Sequence, residues 1–363
     1  MDVIIIGSGP AGCSAASTCL KAGLDVMIIT DQGPRDFLPS LSKRGVGGEL
    51  ESIHPGVSSL LEKIGAAGAE VAATRARYTG IQVGNTYTPL GEDDSGVWNG
   101  MHIDRHVFDA QLLHRIRETG VVVRFNTEVE GFLLKDDRVI GIKTASTELY
   151  AKYIIDASGH HAIAGRKLKF RRRFFSPPFV CWTGISKCVQ PLSFLLPSLR
   201  KRGAQLAMNA KSFMGGEFVD RAHFIPHKNG WTWLAPTPPD HCAWTRLRVK
   251  GEKSFLPPEE LKDCIPVGKI KAANMRWRLY RPVCKEGVVL CGDAAGILDP
   301  AAGQGILNAL WSGMIAANAV VSCLQQPELE AFNLARYDDW FVRQYEEKAA
   351  ILKSYYEEHG ILK

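Results

Sequence analysis

The sequence predicts an α/β fold, α+β overall, in which a Rossmann-like three-layer domain is combined with an antiparallel-sheet domain and a C-terminal helix. Three observations predict it. Residues 2–23, DVIIIGSGPAGCSAASTCLKAG, have the order buried strand, glycine turn, helix. Residues 287–313 repeat that order near the other end of the chain. Between them, short stretches of alternating apolar and polar residues are typical of antiparallel strands.

Composition sets wide limits. The 363 residues are 45% hydrophobic and 23% charged, as in ordinary globular proteins, and the net charge of +6 is compatible with an acidic cofactor, a charged partner or a membrane surface. Nine cysteines without a CxxC pair indicate buried thiols in a reducing compartment, so we expect a cytoplasmic protein. The N-terminus begins a strand rather than a signal peptide, and the apolar run MIAANAVV is too short to span a bilayer. We therefore expect no stable membrane insertion.

The N-terminal motif predicts a dinucleotide site. Val3–Ile6 is a continuous apolar run, typical of a parallel strand buried on both faces. Gly7 permits the tight turn, Gly9 lets the backbone approach a pyrophosphate, and Gly12 lets the helix pack close to the strand. The helix that starts at Pro10–Ala11 would present free N–H groups to the phosphates.

The second strand, within residues 24–30, should be followed by an acid that holds the ribose hydroxyls. Thr30 stands at that position and Asp31 follows it. Either side chain could contact the ribose, and the alternative, that Asp31 only begins a loop, stays open.

The second strand-and-helix unit carries the strongest resemblance to a known family. Residues 287–313, with Gly292–Asp293 after the strand, resemble FAD proteins of the para-hydroxybenzoate hydroxylase superfamily, which includes aromatic hydroxylases, flavin halogenases and geranylgeranyl reductases. The resemblance implies that Asp293 binds the ribityl–pyrophosphate part of FAD. It also implies that Pro300–Gly305 lies beside the isoalloxazine ring, where the following helix dipole would stabilise negative charge on the reduced flavin.

Three further segments match the same family. Arg105 in IDRHVFDAQLL matches an arginine that contacts the cofactor, the strand ending at residues 156–159 matches one that ends near the adenine, and the Val129 backbone matches an adenine contact. The predicted cofactor site therefore comprises Gly7, Gly9, Pro10, Ala11, Gly12, Thr30, Asp31, Arg44, Arg105, Val129, Ala157, Gly159, Gly292, Asp293, Gly305 and Ile306.

The order of the motifs predicts a discontinuous cofactor domain. We assign residues 1–75, 100–165 and 280–330 to FAD binding, and 76–99 and 166–279 to a substrate domain. Residues 331–363 form a C-terminal helical segment, because aromatic and aliphatic residues recur there at helical spacing between charges. In the substrate domain, FVCWTGI, AHFIPH, GWTWLAP and HCAWTRLRV have the pattern of antiparallel strands that would roof the flavin.

Several polar features have more than one interpretation. The basic run 165–175 is either a solvated connection or a docking patch for an acidic protein or for the phosphates of a nicotinamide cofactor. No nucleic-acid-binding module is visible. Only His102 and His106 have metal-ligand spacing among the histidines, and they are interpreted as structural, so we expect no metal. His160–His161 could contact the cofactor or form a polar turn.

The run Trp231-x-Trp233-x-x-Pro236 resembles flavin halogenases, as do Glu49 and Pro55 in the stretch that caps the flavin in that family. Halogenases also need a lysine between flavin and substrate. No lysine occurs between Lys63 and Lys135, and a guanidinium stays protonated, so arginine cannot replace an amine nucleophile. Gly303-Gln304-Gly305 is the pattern of hydroxylases and reductases rather than of a halide site. Halogenation is therefore an alternative and not the main hypothesis.

We predict an FAD-dependent monooxygenase that uses a flavin C4a-hydroperoxide to hydroxylate an aromatic substrate, an indole or a phenol, one candidate being a tryptophan of a precursor protein. The alternatives are a hydroxylase of a free aromatic metabolite, a halogenase, a prenyl reductase, and a non-enzymatic FAD-binding chaperone. Because there is no second GxGxxG, electrons would come from transiently bound NAD(P)H or from a separate flavin reductase. No catalytic side chain is identified; the candidates near the flavin are Glu49, Trp231, Trp233, Pro300, Gly303, Gln304 and Gly305.

Overall fold

The structure is a computed structural model, and it describes residues 1–34, 50–94, 96–188, 217–218, 221–251 and 256–362. Arg44 and Glu49, both predicted to lie near the flavin, fall outside the described residues. The helices are α1 Pro10–Lys21, α2 Val57–Lys63, α3 Arg105–Glu118, α4 Ile163–Lys167, α5 Gly305–Gln325 and α6 Glu330–Glu358.

The strands follow the chain in this order: β1 Val3–Ile6, β2 Val26–Ile29, β3 Leu50–Ile53, β4 Thr74–Tyr78, β5 Gly80–Val83, β6 Thr86–Pro89, β7 Glu92–Asp93, β8 Gly96–Val97, β9 Gly100–Asp104, β10 Val122–Arg124, β11 Gly131–Lys135, β12 Arg138–Lys143, β13 Glu148–Tyr150, β14 Tyr153–Asp156, β15 Arg172–Phe174, β16 Phe179–Cys188, β17 Glu217–Phe218, β18 Arg221–His227, β19 Gly230–Thr237, β20 His241–Val249, β21 Cys264–Asn274, β22 Arg278–Tyr280, β23 Cys284–Lys285, β24 Val288–Leu290 and β25 Gly296–Ile297.

A six-stranded sheet in the order β10-β2-β1-β14-β24-β23 forms the centre of the Rossmann-like domain. All its pairs are parallel except that of β23 with β24. Strands β1, β14 and β24 are buried along their whole length, as expected where helices cover both faces. The prediction of a buried parallel sheet is confirmed, and the carboxyl ends of β1, β2, β14 and β24 meet at one edge.

A seven-stranded sheet in the order β21-β16-β20-β19-β18-β5-β6 lies in the other part of the molecule. The four strands expected from alternation are β16, β18, β19 and β20, and their mutual pairs are antiparallel, which confirms the prediction. The sheet also contains β5, which pairs with β18 in parallel. The remaining strands form four smaller sheets, which have the strand orders β17-β4-β9-β3, β15-β22-β25, β11-β12-β13 and β7-β8.

Two long helices, α5 and α6, pack on the body, and the amphipathic pattern of residues 331–363 had predicted the second of them. Helix α5 packs so closely on α1 that a Cβ at Gly313 would lie 2.3 Å from the Ala11 carbonyl oxygen. By length and composition alone, α5 is also long and apolar enough to span a membrane. The expectation that the apolar stretch around MIAANAVV is too short for this is therefore corrected, because that stretch is only part of the longer apolar helix. The core helix of a globular protein can have the same length and composition. The close packing of α5 on α1 is typical of such a core helix.

All nine cysteine side chains are buried, in keeping with their apolar surroundings in the sequence. Burial raises the pKa of the Cys19 thiol to about 12, so this group stays protonated at neutral pH. These cysteines are part of the packed interior.

Candidate active site

A cavity of about 1540 Å³ lies between the edge of the central sheet and the seven-stranded sheet. Single ligand pockets are typically about 300–1000 Å³. The cavity therefore has room for a dinucleotide together with a second ligand. We call the part lined by strand ends and glycine turns the cofactor half, with Gly9, Thr30, Arg105, Val129 and Asp293 in its wall. The part lined by β19–β21, α5 and α6 we call the substrate half.

The glycine turn after β1 has the geometry that a pyrophosphate needs. A Cβ added at Gly9 would meet nothing within 4 Å, so the backbone here faces open space in the cavity. At Gly12, by contrast, a Cβ would lie 1.9 Å from the Gly7 carbonyl oxygen, which explains why the helix start requires glycine. Among the described side chains none caps the N-terminus of α1, so its first N–H groups remain available for phosphate oxygens. These features fit FAD.

Most predicted cofactor residues lie in the cavity wall. Thr30 is buried, and its hydroxyl accepts hydrogen bonds from the Ser8 hydroxyl at 3.3 Å and the Gln32 N–H at 3.3 Å, while Asp31 is exposed beside it. Gly12 lies outside the wall and acts through packing. His160 and His161 also line the cavity, with ring centroids 4.0 Å apart. The other predicted residues in the wall are Gly7, Pro10, Ala11, Ala157, Gly159, Gly292, Gly305 and Ile306.

The carboxylate at the end of β14 has a structural task. Asp156 is fully buried and accepts hydrogen bonds from the Ser158 N–H at 3.0 Å and the Ala164 N–H at 2.6 Å. It thereby holds the loop that follows β14 and the start of α4. Ala157 and Gly159 line the cavity, whereas the Asp156 side chain does not.

Asp293 is the most perturbed carboxylate of the cofactor half. The residue is exposed within the open cavity, while protein atoms of the cavity wall crowd around its carboxylate. Burial, and after it the nearby Glu51 carboxylate, raises the pKa of Asp293 to about 6, while Arg105 and Arg278 oppose the shift. A carboxylate held in this way is well placed to accept hydrogen bonds from ribityl hydroxyls, because a ligand donor would relieve its poor solvation.

Glu51 and Ser52 are site residues that the sequence analysis missed. Glu51 forms an ion pair with Arg105, which also contacts Asp109 at 3.3 Å. A Cβ at Gly305 would lie 3.6 Å from Glu51 Oε1, and one at Gly303 would lie 3.8 Å from the Ser52 carbonyl oxygen. Strand β3 therefore stands over the turn that begins α5. The only signal in the sequence was the neighbouring Glu49, two residues earlier.

A partly buried chain of hydrogen bonds joins β19 to β9 through Ser52 of β3. The Trp233 indole N–H donates to Ser52 Oγ at 2.9 Å, and Ser52 Oγ lies 2.8 Å from His102 Nδ1. Burial lowers the pKa of His102 to about 3, so the ring is neutral, and the Tyr78 ring stacks on it at 4.5 Å. His102 Nε2 has no hydrogen-bond partner among the described residues. When the ring proton is on Nδ1, Ser52 accepts twice and its own hydroxyl proton is free to point into the cavity.

A second buried chain ties the C-terminal helix to the substrate half. Asp299 accepts hydrogen bonds from the Tyr356 hydroxyl at 2.7 Å, the Trp277 indole at 2.7 Å and the Ala301 N–H at 3.0 Å. The Trp231 indole in turn donates to the Tyr356 hydroxyl at 2.6 Å. Trp231 and Trp233 both line the cavity, as expected for alternate positions of one strand, and each is fixed by a different distant element.

Lysines do reach the cavity, although none lies in the halogenase-like sequence position. Lys167, Lys271 and Lys348 are in its wall, brought there by α4, β21 and α6. Among the described residues, no group of three or more His, Cys, Asp or Glu side chains has the geometry of a metal site. Pro300, Gly303 and Gln304, predicted to lie near the flavin, are in the wall where the two halves meet.

The profile of the FAD binding domain family matches residues 1–310. The chain belongs to this family. It is an FAD-dependent oxidoreductase. FAD is therefore the expected ligand of the cofactor half.

Curated relatives of this family member include two archaeal reductases. The chain is 26% identical over 360 residues to digeranylgeranylglycerophospholipid reductase of Methanosphaerula palustris, covering 93% of this chain and 80% of the relative. It is 27% identical over 360 residues to the protein of the same name from Methanocella arvoryzae, covering 93% and 81%.

Solved structures share its fold. The flavin-dependent brominase Bmp2 superimposes with a TM-score of 0.77 and 20% identity, covering 99% of this chain and 88% of the brominase. A geranylgeranyl bacteriochlorophyll reductase-like protein from Thermoplasma acidophilum gives 0.74 and 18%, covering 100% and 88%. The peptidyl tryptophan dihydroxylase QhpG gives 0.69 and 17%, covering 99% and 76%. The fold thus occurs with reductive and oxygenating relatives alike.

Proposed function

We propose that this flavoprotein is a reductase that saturates carbon–carbon double bonds of an isoprenoid chain. The observation that carries the proposal is the apolar substrate half, which extends the cavity well beyond what a dinucleotide needs. Its wall is formed largely by aromatic and aliphatic side chains, which suits a long hydrocarbon better than a small polar metabolite. The curated relatives at 26% and 27% identity, both prenyl-lipid reductases, support the same substrate class. The side chains are Trp231, Trp233, Ala235, Ala243, Met275, Leu298, Trp311, Trp340, Phe341, Ile351 and Leu352.

The reaction adds two hydrogens to a C=C bond, one as hydride and one as a proton. Reduced FAD supplies the hydride when it is bound. The protein must hold the double bond over the turn at Gly303–Gly305 and supply the proton. We assign delivery of the proton to Ser52, because the residue lines the cavity, its backbone carbonyl lies beside this turn, and its hydroxyl is oriented by Trp233 and His102. The serine oxygen then regains a proton from water. The apolar wall excludes water that would otherwise compete for the site.

The test uses the FAD-loaded protein reduced with dithionite under strict exclusion of oxygen, which removes any need to know the natural electron donor. Addition of a geranylgeranyl lipid should restore the oxidised flavin spectrum, and the lipid should gain two mass units for each bond reduced. A matched sample with the fully saturated lipid should stay reduced. If the flavin stays reduced with both lipids, the proposal is wrong.

A second candidate, oxygenation of an aromatic substrate, is favoured by the aromatic side chains of the substrate half. Indole and phenol rings would stack on Trp233 or Trp244, which both line the cavity. The products of the three reactions distinguish a reductase, an oxygenase and a halogenase. An oxygenase gives a product 16 mass units heavier only when oxygen is present, whereas a halogenase gives a halogenated product only when chloride or bromide is added as well.

A further inference from the structure

Lys348 is a half-buried cation in the wall of the substrate half. Its Nζ donates a hydrogen bond to Asn308 Oδ1 on α5 and lies 5.7 Å from the centroid of the Trp311 ring. Within the described part of the chain, no carboxylate lies within 4.0 Å of this Nζ. Of its helix neighbours, Glu346 lies 3.8 Å from Arg281 and Glu347 is exposed.

A cation in this position is incompletely stabilised by the protein. Burial lowers the pKa of Lys348, because one amide oxygen and one aromatic face replace only part of the lost hydration. A buried charge is ordinarily paired with an opposite charge. Since the ammonium faces the cavity, an anionic ligand bound there would supply the opposite charge.

The surroundings show which end of the cavity this is. Trp311 is 38% exposed and Ile351 is 69% exposed, yet both line the cavity, so the cavity meets solvent between α5 and α6. Trp340 packs edge-on against Trp311 with ring centroids 5.5 Å apart. Among the described residues, the mouth therefore combines apolar walls with the Lys348 ammonium, which no carboxylate pairs.

We propose that Lys348 binds the phosphate ester of an isoprenoid substrate at the mouth between α5 and α6, with Asn308 holding the ammonium in place. This rests on the proposed function, because the apolar chain attached to the phosphate would extend inward towards Gly303–Gly305. The arrangement orients the substrate: the charged end stays at the solvent boundary, where its desolvation costs least, and the double bonds enter the dry part of the cavity.

The experiment measures binding to the FAD-loaded, oxidised protein, so it does not depend on turnover. The probes are geranylgeranyl monophosphate and geranylgeraniol, which differ only in the phosphate, with inorganic phosphate as a third titrant. The variants are Lys348→Met, which removes the charge, and Lys348→Arg, which keeps it. Lys353→Met is the matched control, since Lys353 lies on the same helix but is exposed and 3.8 Å from Glu357.

We expect the unmodified protein and Lys353→Met to bind the monophosphate at least about tenfold more tightly than the alcohol. Lys348→Met should lose this preference with unchanged affinity for the alcohol, Lys348→Arg should retain most of it, and inorganic phosphate alone should bind weakly. Should Lys348→Met prove insoluble, Lys348→Gln gives the same comparison.

Three results would overturn the assignment. Equal binding of the two isoprenoids by the unmodified protein removes the anion site but leaves the proposed function standing. A preference that survives in Lys348→Met, together with a shifted flavin reduction potential, assigns the lysine to the cofactor. Failure of both isoprenoids to bind the unmodified protein removes the proposed function and this inference with it.

Discussion

The two halves of the cavity are built on different principles. The cofactor half is made mainly from backbone: a glycine turn, the ends of parallel strands and the uncapped start of α1. The substrate half is made from side chains that come from β19–β21, α5 and α6 and are joined by hydrogen bonds over long sequence distances. Backbone geometry tolerates few residue types, whereas a wall of side chains can be rebuilt for another substrate. This difference fits a fold that reductases, halogenases and hydroxylases share.

The largest effect should come from two glycines of one motif. Gly12→Ala would place a Cβ 1.9 Å from the Gly7 carbonyl oxygen, and we expect it to lower the free energy of unfolding by about 3 kcal/mol. Gly9→Ala, whose Cβ meets nothing within 4 Å, should leave the fold intact and weaken FAD binding about tenfold or more. Denaturant unfolding and FAD titration separate the two. If Gly9→Ala lowers the free energy of unfolding as much as Gly12→Ala does, the assignment of Gly9 to FAD binding and of Gly12 to packing is wrong.

At the boundary between the halves, Ser52→Ala should lower kcat of double-bond reduction roughly 100-fold, because the proton loses its oriented donor. KM and FAD content should change little, since no described contact of Ser52 Oγ lies on the glycine turn. Ser52→Thr keeps the hydroxyl and serves as the matched control. A Ser52→Thr variant as slow as Ser52→Ala, or a Ser52→Ala variant with full kcat, contradicts the assignment.

In the substrate half, Tyr356→Phe removes the hydroxyl that joins Trp231 to Asp299. We expect the free energy of unfolding to fall by about 1–3 kcal/mol, because a buried indole N–H is left without a partner. The neighbouring Tyr355→Phe is the control and should change stability by less than about 0.5 kcal/mol. Equal effects from the two substitutions would mean that the chain does not fix α6 to the sheet.

At Asp293 the expected effect depends on pH. Its raised pKa, about 6 in the folded state against 3.8 ordinarily, means that the folded protein binds more protons than the unfolded chain between these values, so stability falls as pH rises through that window. Asp293→Asn should therefore stabilise the FAD-free protein above pH 6, with no difference below about pH 4. The same substitution should weaken FAD binding. Thermal unfolding from pH 4 to 8 with and without FAD tests both, and an Asp293→Asn protein less stable than the unmodified one at pH 7 contradicts the argument.

The sequence by itself determined the fold class and most of the cofactor half. Strand β1, the glycine turn and α1 are adjacent in the chain, so their pattern is local, and parallel strands necessarily bring their carboxyl ends to one edge of the sheet. The resemblance to FAD proteins had indicated Asp293, Val129 and Ala157, and all three line the cavity.

Only the tertiary structure decided how the substrate half is assembled. Trp233 and Ser52 are 181 residues apart, and Trp231 and Tyr356 are 125 apart, so no periodicity in the sequence could pair them. The same holds for Lys348: the sequence shows one more charge on an amphipathic helix, and only the packing of α6 against α5 leaves that charge half-buried, beside Asn308 and facing the cavity. Hydrogen bonds and ion pairs between distant elements depend on the relative placement of whole helices and sheets, which packing fixes and local sequence does not.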